Sequence, residues 1–174
     1  MGERDPEVQA LLDKQAIHEV LALYLRGCDR ADVSLVAAAY HEDGYEDHGG
    51  TFSGPASEWI ASLSERLPKA GLMNHLMSNL VIELDGDRAL SECYILTFSR
   101  VATDERPFDS MTLTRAIDRF ERRDGKWKIK HRTLVWESNR ELPLTETWAR
   151  GAITGDPSIL RRGAKKPADA LYTA

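Results

Sequence analysis

The sequence predicts an α+β fold, with helices gathered at the N-terminal end and a long antiparallel sheet following them. Three observations carry this. Apolar residues recur at close to helical spacing from Val8 to Cys28. From residue 73 onward the pattern changes to four long strand-like stretches. Asp85-Gly86-Asp87 and Asp124-Gly125 divide those stretches as tight turns. Helices first and a meander afterwards is the order of segregated layers, not of an alternating α/β fold.

The elements follow in order. Asp5 caps the first helix, Pro6 suits its first position and Glu7 favours its positive end. Val8, Leu11, Leu12, Ile17, Val20, Leu21, Tyr24 and Cys28 supply its apolar spacing, and residues 29–32 read as a junction. Asp32 caps a short second helix, Val33 to Tyr40; His41 to Gly44 is a turn, and Tyr45 to His48 a short extended piece. Gly54-Pro55 opens a third helix with Trp59, Ile60, Leu63 and Leu67 on one face, closed by Pro68 and Gly71. The strands run over residues 73–84, 88–101, 108–123 and 126–138. The expected architecture is a cone-shaped α+β barrel: three N-terminal helices packed on a strongly curved, mostly antiparallel sheet, whose open end is a natural ligand pocket. Residues 1–140 form that domain. Residues 141–174 form a loosely patterned C-terminal tail, expected to pack on a neighbouring subunit.

Composition excludes several function classes. A length of 174 residues fits one domain with a real core, and 42% apolar with 29% charged residues is a globular composition. A net charge of −5 without a basic stripe argues against nucleic-acid binding. No apolar run reaches the roughly 20 residues of a membrane span, and the charged N-terminus lacks the core of a signal peptide. Cys28 and Cys93, both in apolar stretches, read as reduced core residues of a cytoplasmic protein. His41-x-Asp43 and Asp47-His48 have ligand chemistry but no supporting pair, so no metal is expected.

Strand alternation selects the candidate site residues. His75, Met77 and Asn79 point one way on the first long strand, while Leu76, Leu80, Ile82 and Leu84 point the other. On the last strand Arg132, Leu134 and Trp136 share a face; a bulge would invert such assignments beyond it. Asp29 ends an apolar helix, where the dipole disfavours negative charge, so it needs a partner. His75 and Arg132 are the candidates. An Asp–His pair would fix the imidazole tautomer and raise its basicity, and Arg132 would hold a carboxylate or oppose developing negative charge. Tyr24 stands about 140° around the helix from Asp29, at the pocket mouth. Tyr45 and His48 fall at its rim.

Tyr24-Leu-Arg-Gly-Cys-Asp29, His75-x-x-x-Asn79, and Phe120-Glu-Arg-Arg-Asp-Gly-Lys-Trp127 followed by Arg132 resemble the SnoaL-like branch of the nuclear transport factor 2-like superfamily. The resemblance covers roughly residues 8–140. It is a branch of bile-acid dehydratase, hexachlorocyclohexane dehydrochlorinase and, more distantly, scytalone dehydratase. It implies an Asp–His dyad at Asp29 and His75, the dehydratase-type tyrosine at Tyr24, the pocket arginine at Arg132, no metal or organic cofactor, and a homo-oligomer, commonly a trimer and sometimes a dimer. The expected function is a cofactor-independent lyase of the dehydratase type, or an isomerase, acting on a hydrophobic cyclic small molecule, with Tyr45, His48, Met77, Asn79 and Trp136 lining the pocket. A noncatalytic small-molecule-binding domain and a polyketide-type cyclase are the competing readings, because one fold serves many chemistries.

Overall fold

Helix α1 spans Pro6–Arg30 in the computed structural model, which describes residues 5–103 and 106–173. The N-terminal residues 1–4, read as part of a chain without a leader, lie outside the described residues, as do residues 104, 105 and 174. Asp5 caps α1 by accepting the Glu7 N–H, as expected. Ile17, Leu21, Tyr24, Leu25 and Cys28 form its buried face. Asp13 fastens the helix to the far hairpin by accepting from Arg122 Nη1 at 3.0 Å and Trp127 Nε1 at 2.8 Å. Gly27 permits the junction that follows: a Cβ there would meet Val36 Cγ2 at 2.8 Å and the Asp32 carbonyl oxygen at 2.9 Å. The short α2, Val33–Ala38, therefore folds back against α1.

The second helix is shorter than its expected span to Tyr40. Strand β1 begins at Tyr40 and runs to Asp47, through the residues read as a turn. The reason is a non-local pairing. Ile129 N–H donates to the Ala39 carbonyl at 2.8 Å, and β1 then runs parallel to the last strand, with Tyr45 beside His131 and Glu46 beside Arg132. The remaining elements are β2 (Ser53–Pro55), α3 (Ala56–Arg66), β3 (Met73–Asp85), β4 (Arg88–Val101), β5 (Phe108–Arg123) and β6 (Lys126–Pro143). They make one curved sheet in the order β2-β1-β6-β5-β4-β3, antiparallel except at β1–β6 and open between β2 and β3. Asp124 and Gly125 both take positive φ in the β5–β6 turn, the conformation that an Asp-Gly hairpin favours.

Bulges decide which residues enter the core. In β3 the register shifts between Ser78 and Val81, and Asn79 takes φ +52°. Met73 and Met77 before the shift, and Leu80, Ile82 and Leu84 beyond it, all pack on the core. Leu76, read as core, is exposed instead. In β6 the pairing skips a residue between Ile129 and His131. Trp127 and Ile129 before that point, and Arg132 and Leu134 after it, are thus all buried. Alternation without the bulge puts them on opposite faces.

Arg132 and Asp118 face each other across β6 and β5 and form a bidentate pair, Nε to Oδ1 at 2.7 Å and Nη2 to Oδ2 at 2.8 Å. Arg132 is 2% exposed and Asp118 0%. Burial pushes the Asp118 carboxyl up while the Arg132 charge pulls it back.

Strand β6 continues to Pro143, past the expected domain limit at residue 140. The tail beyond it returns to its own chain. Lys165 Nζ donates to the Asp29 carbonyl at 2.9 Å and Lys166 N–H to the Arg30 carbonyl at 2.7 Å. Buried Asp32 accepts from Lys166 Nζ at 3.0 Å and Tyr172 OH at 2.9 Å.

These contacts can be tested by substitution. Asp118→Asn leaves a buried guanidinium without its counter-charge, so it should lower stability by about 3–5 kcal/mol in urea unfolding, whereas the double variant Asp118→Leu/Arg132→Met should recover most of that loss; equal stability of Asp118→Asn and the native chain would contradict the pairing. Asp32→Ala removes charge-assisted bonds worth about 1.5–3 kcal/mol. It should speed tryptic cleavage after Arg161 and Arg162 roughly tenfold or more, and unchanged digestion would show that these bonds do not hold the tail.

Candidate active site

A cavity of about 360 Å³ opens between α1, α3 and the concave sheet face. Its apolar wall includes Leu25, Leu63, Ile95 and Leu134, and Thr97, Ser99, Thr112 and Thr114 add hydroxyls from the middle strands. An apolar hollow with a few converging polar groups is the usual form of a small-molecule site.

His75 lines this cavity; Asp29 does not, and reaches the His75 ring from an outer groove that both residues border. His75 Nδ1 donates to Asp29 Oδ1 at 2.6 Å, and the His75 backbone N–H donates to Asp29 Oδ2 at 3.2 Å. Both side chains are largely buried. The helix end that disfavours a carboxylate is compensated from two sides: His75 takes the carboxylate, and the Lys165 ammonium binds the neighbouring carbonyl. In the neutral imidazole, an Nδ1–H given to Asp29 leaves the lone pair on Nε2. Arg26, Arg30, Met77 and Leu171 also line that outer groove.

Arg132 lines the cavity with its guanidinium 4.1 Å from the Tyr24 ring centroid. Two of its nitrogens are committed to Asp118, and Nη1 makes no hydrogen bond to the described residues. Tyr24 also lines the cavity, and its hydroxyl accepts from Trp59 Nε1 at 3.3 Å. Burial pushes that hydroxyl well above the usual phenol range. Burial likewise pushes the Cys28 thiol up to about 12, so it is no ready nucleophile.

The five expected pocket residues divide. His48 and Trp136 line the cavity. Tyr45 does not: it stands on the outer sheet face, stacked on His131 at 5.0 Å, because alternation along β1 sends Glu46 inward in its place. Asn79 does not either, since the β3 bulge leaves it exposed. Met77 borders the outer groove beside His75 and not the cavity. His41 donates from Nε2 to the Glu121 carbonyl at 2.9 Å, and Asp43 pairs with Arg123 and Lys130. Among the described residues no group of three His, Cys, Asp or Glu side chains stands close enough to hold a metal ion.

Glu46 escapes the sequence reading. It is 0% exposed, accepts the Tyr40 hydroxyl on Oε2, and accepts His48 Nδ1 on Oε1 at 2.7 Å. The signal was present, because residues two apart on a strand share a face, so Glu46-x-His48 points one way. Gly49 then fixes the turn. Its φ is +59°, and a Cβ there would lie 2.6 Å from Trp136 Cδ1. The indole Nε1 of Trp136 donates to the Gly49 carbonyl at 2.9 Å.

Comparison with known proteins agrees with this architecture. The SnoaL-like domain model matches residues 9–133. No curated protein matches the chain in sequence. Among solved structures, the type 3 hexachlorocyclohexane dehydrochlorinase LinA of Novosphingobium barchaimii superposes with a TM-score of 0.72 at 18% identity, over 80% of this chain and 97% of that one. A candidate scytalone dehydratase of Novosphingobium aromaticivorans gives 0.68 at 20% identity, over 79% and 96%. A single-residue variant of a Mycobacterium tuberculosis protein of unknown function, Rv3472, gives 0.62 at 23% identity, over 78% of each chain. These likenesses establish a shared fold. With the domain model matched across most of its length, the protein belongs to the SnoaL-like domain family.

Proposed function

We propose that the protein is a cofactor-independent lyase of the dehydratase type that acts on a hydrophobic cyclic small molecule through Asp29 and His75. The observation that carries this reading is the 2.6 Å bond to Asp29 from Nδ1 of His75, whose ring lines an apolar cavity. Structural likeness to a dehydrochlorinase and a candidate dehydratase supports it.

The chemistry follows from the atoms available. His75 Nε2 takes a proton from a carbon beside the substrate carbonyl, and Asp29 stabilises the imidazolium that forms. The open Nη1 of Arg132 donates to the enolate oxygen, where preorganised charge counts most. Asp118 holds the guanidinium in place for that task. Tyr24 keeps its proton and supplies a ring surface beneath the guanidinium. Elimination of a group on the next carbon completes the reaction. Double-bond migration would use the same base, and the two outcomes differ only in whether a leaving group is present.

The test uses 3-(4-nitrophenoxy)cyclohexanone, which releases coloured 4-nitrophenolate once the proton beside its carbonyl is removed. The native protein should eliminate it faster than buffer does. His75→Gln should lose about 10²–10⁴-fold in rate with its circular dichroism unchanged. Native-like turnover by His75→Gln, or none by the native protein, would contradict the proposal.

A further inference from the structure

A second carboxylate–imidazole pair, whose imidazole also lines the cavity, is left unused by the proposed mechanism. Glu46 and His48 repeat the arrangement of Asp29 and His75: a carboxylate takes Nδ1, and Nε2 has no hydrogen-bond partner among the described residues. His48 is fixed from several sides. Its ring stacks on Trp59 with centroids 4.1 Å apart and meets Trp136 edge-on at 5.8 Å. Its backbone N–H donates to the Phe52 carbonyl at 2.8 Å. Glu46, fully buried, is held in turn by the Tyr40 hydroxyl. A buried carboxylate needs such partners, but they do not require that the second imidazole line the cavity.

Topology sets the two pairs at different ends of the sheet. His48 follows β1 and His75 lies in β3, with β6, β5 and β4 between those strands, yet both rings line one cavity. Their charge surroundings differ. Near His48 the buried charges are two carboxylates, Glu46 and Asp118, against one guanidinium, Arg132, so a proton on His48 leaves the buried set neutral. The exposed Arg66 sits over the Trp59 ring at 4.9 Å. At His75 the neighbouring charges beyond Asp29 are the cations Lys165, Arg26 and Arg30.

We propose that His48, oriented by Glu46, is the general acid that protonates the leaving hydroxyl, so that the substrate class is β-hydroxy carbonyl compounds. This rests on His75 acting as the base. His75 Nε2 takes the carbon-bound proton, and the electron pair forms the enolate. Its collapse makes the C=C bond and breaks the C–O bond. The departing oxygen takes the proton from His48 Nε2 and leaves as water. Transfer of the His75 proton to His48 through solvent restores both imidazoles.

The test compares 3-hydroxycyclohexanone, whose oxygen must be protonated to leave, with 3-(4-nitrophenoxy)cyclohexanone, whose phenolate leaves as the anion. His48→Gln should slow the hydroxy ketone by about 10²–10⁴-fold and the aryl ether by less than tenfold. Glu46→Gln should show the same split in smaller measure, which a general packing defect, slowing both substrates alike, would not produce. His75→Gln should slow both. Equal losses on the two substrates in His48→Gln would overturn the acid assignment while leaving the base intact. So would native turnover of the aryl ether without the hydroxy ketone. Turnover of neither substrate would overturn the base reading and this one with it.

Discussion

The carboxylate of Asp29 joins the last turn of α1 to the first residues of the long meander, and the candidate site depends on that joint. One oxygen holds the His75 ring and the other its backbone N–H, so a single side chain fixes both strand and imidazole. A helix C-terminus is an unfavourable place for negative charge. The histidine bond and the Lys165 contact to the Asp29 carbonyl offset this, and the C-terminal tail thereby becomes part of the support for the site. Nε2 is left as the only ring nitrogen of His75 without a partner among the described residues, at the boundary of an apolar cavity.

The rest of the cavity is organised by buried charge. Arg132, Asp118 and Glu46 lie on three adjacent strands, β6, β5 and β1, with almost no exposure. Taking charges out of water is costly and is recovered only when geometry is good. The bidentate Arg132–Asp118 pair meets that condition and leaves one guanidinium nitrogen without a partner among the described residues. A polar network of this kind in an apolar core supplies oriented charge that needs no rearrangement when an enolate forms.

Much of this was legible from residue order alone. The cap at Asp5, the Asp-Gly hairpin and the change of period at residue 73 each rest on local spacing. The unfavourable placement of Asp29 demanded a partner and left His75 and Arg132 as candidates; the family resemblance pointed to His75. The missed features are non-local. β1 starts at Tyr40 because that residue pairs with Ile129 in β6, which no window around Tyr40 contains. Bulges in β3 and β6 reverse alternation within one strand, so Asn79 turns outward and Leu76 leaves the core. Tyr45 and Glu46 exchange faces relative to the reading because the phase of β1 is set by that same pairing. Glu46-x-His48 was visible as a shared face once the phase was known.

The most direct measurement of the central claim is the ¹⁵N spectrum of the His75 imidazole. The neutral ring should be protonated at Nδ1 and bare at Nε2, with that preference lost in Asp29→Asn. A ring protonated at Nε2, or a tautomer indifferent to the Asp29 substitution, would contradict it.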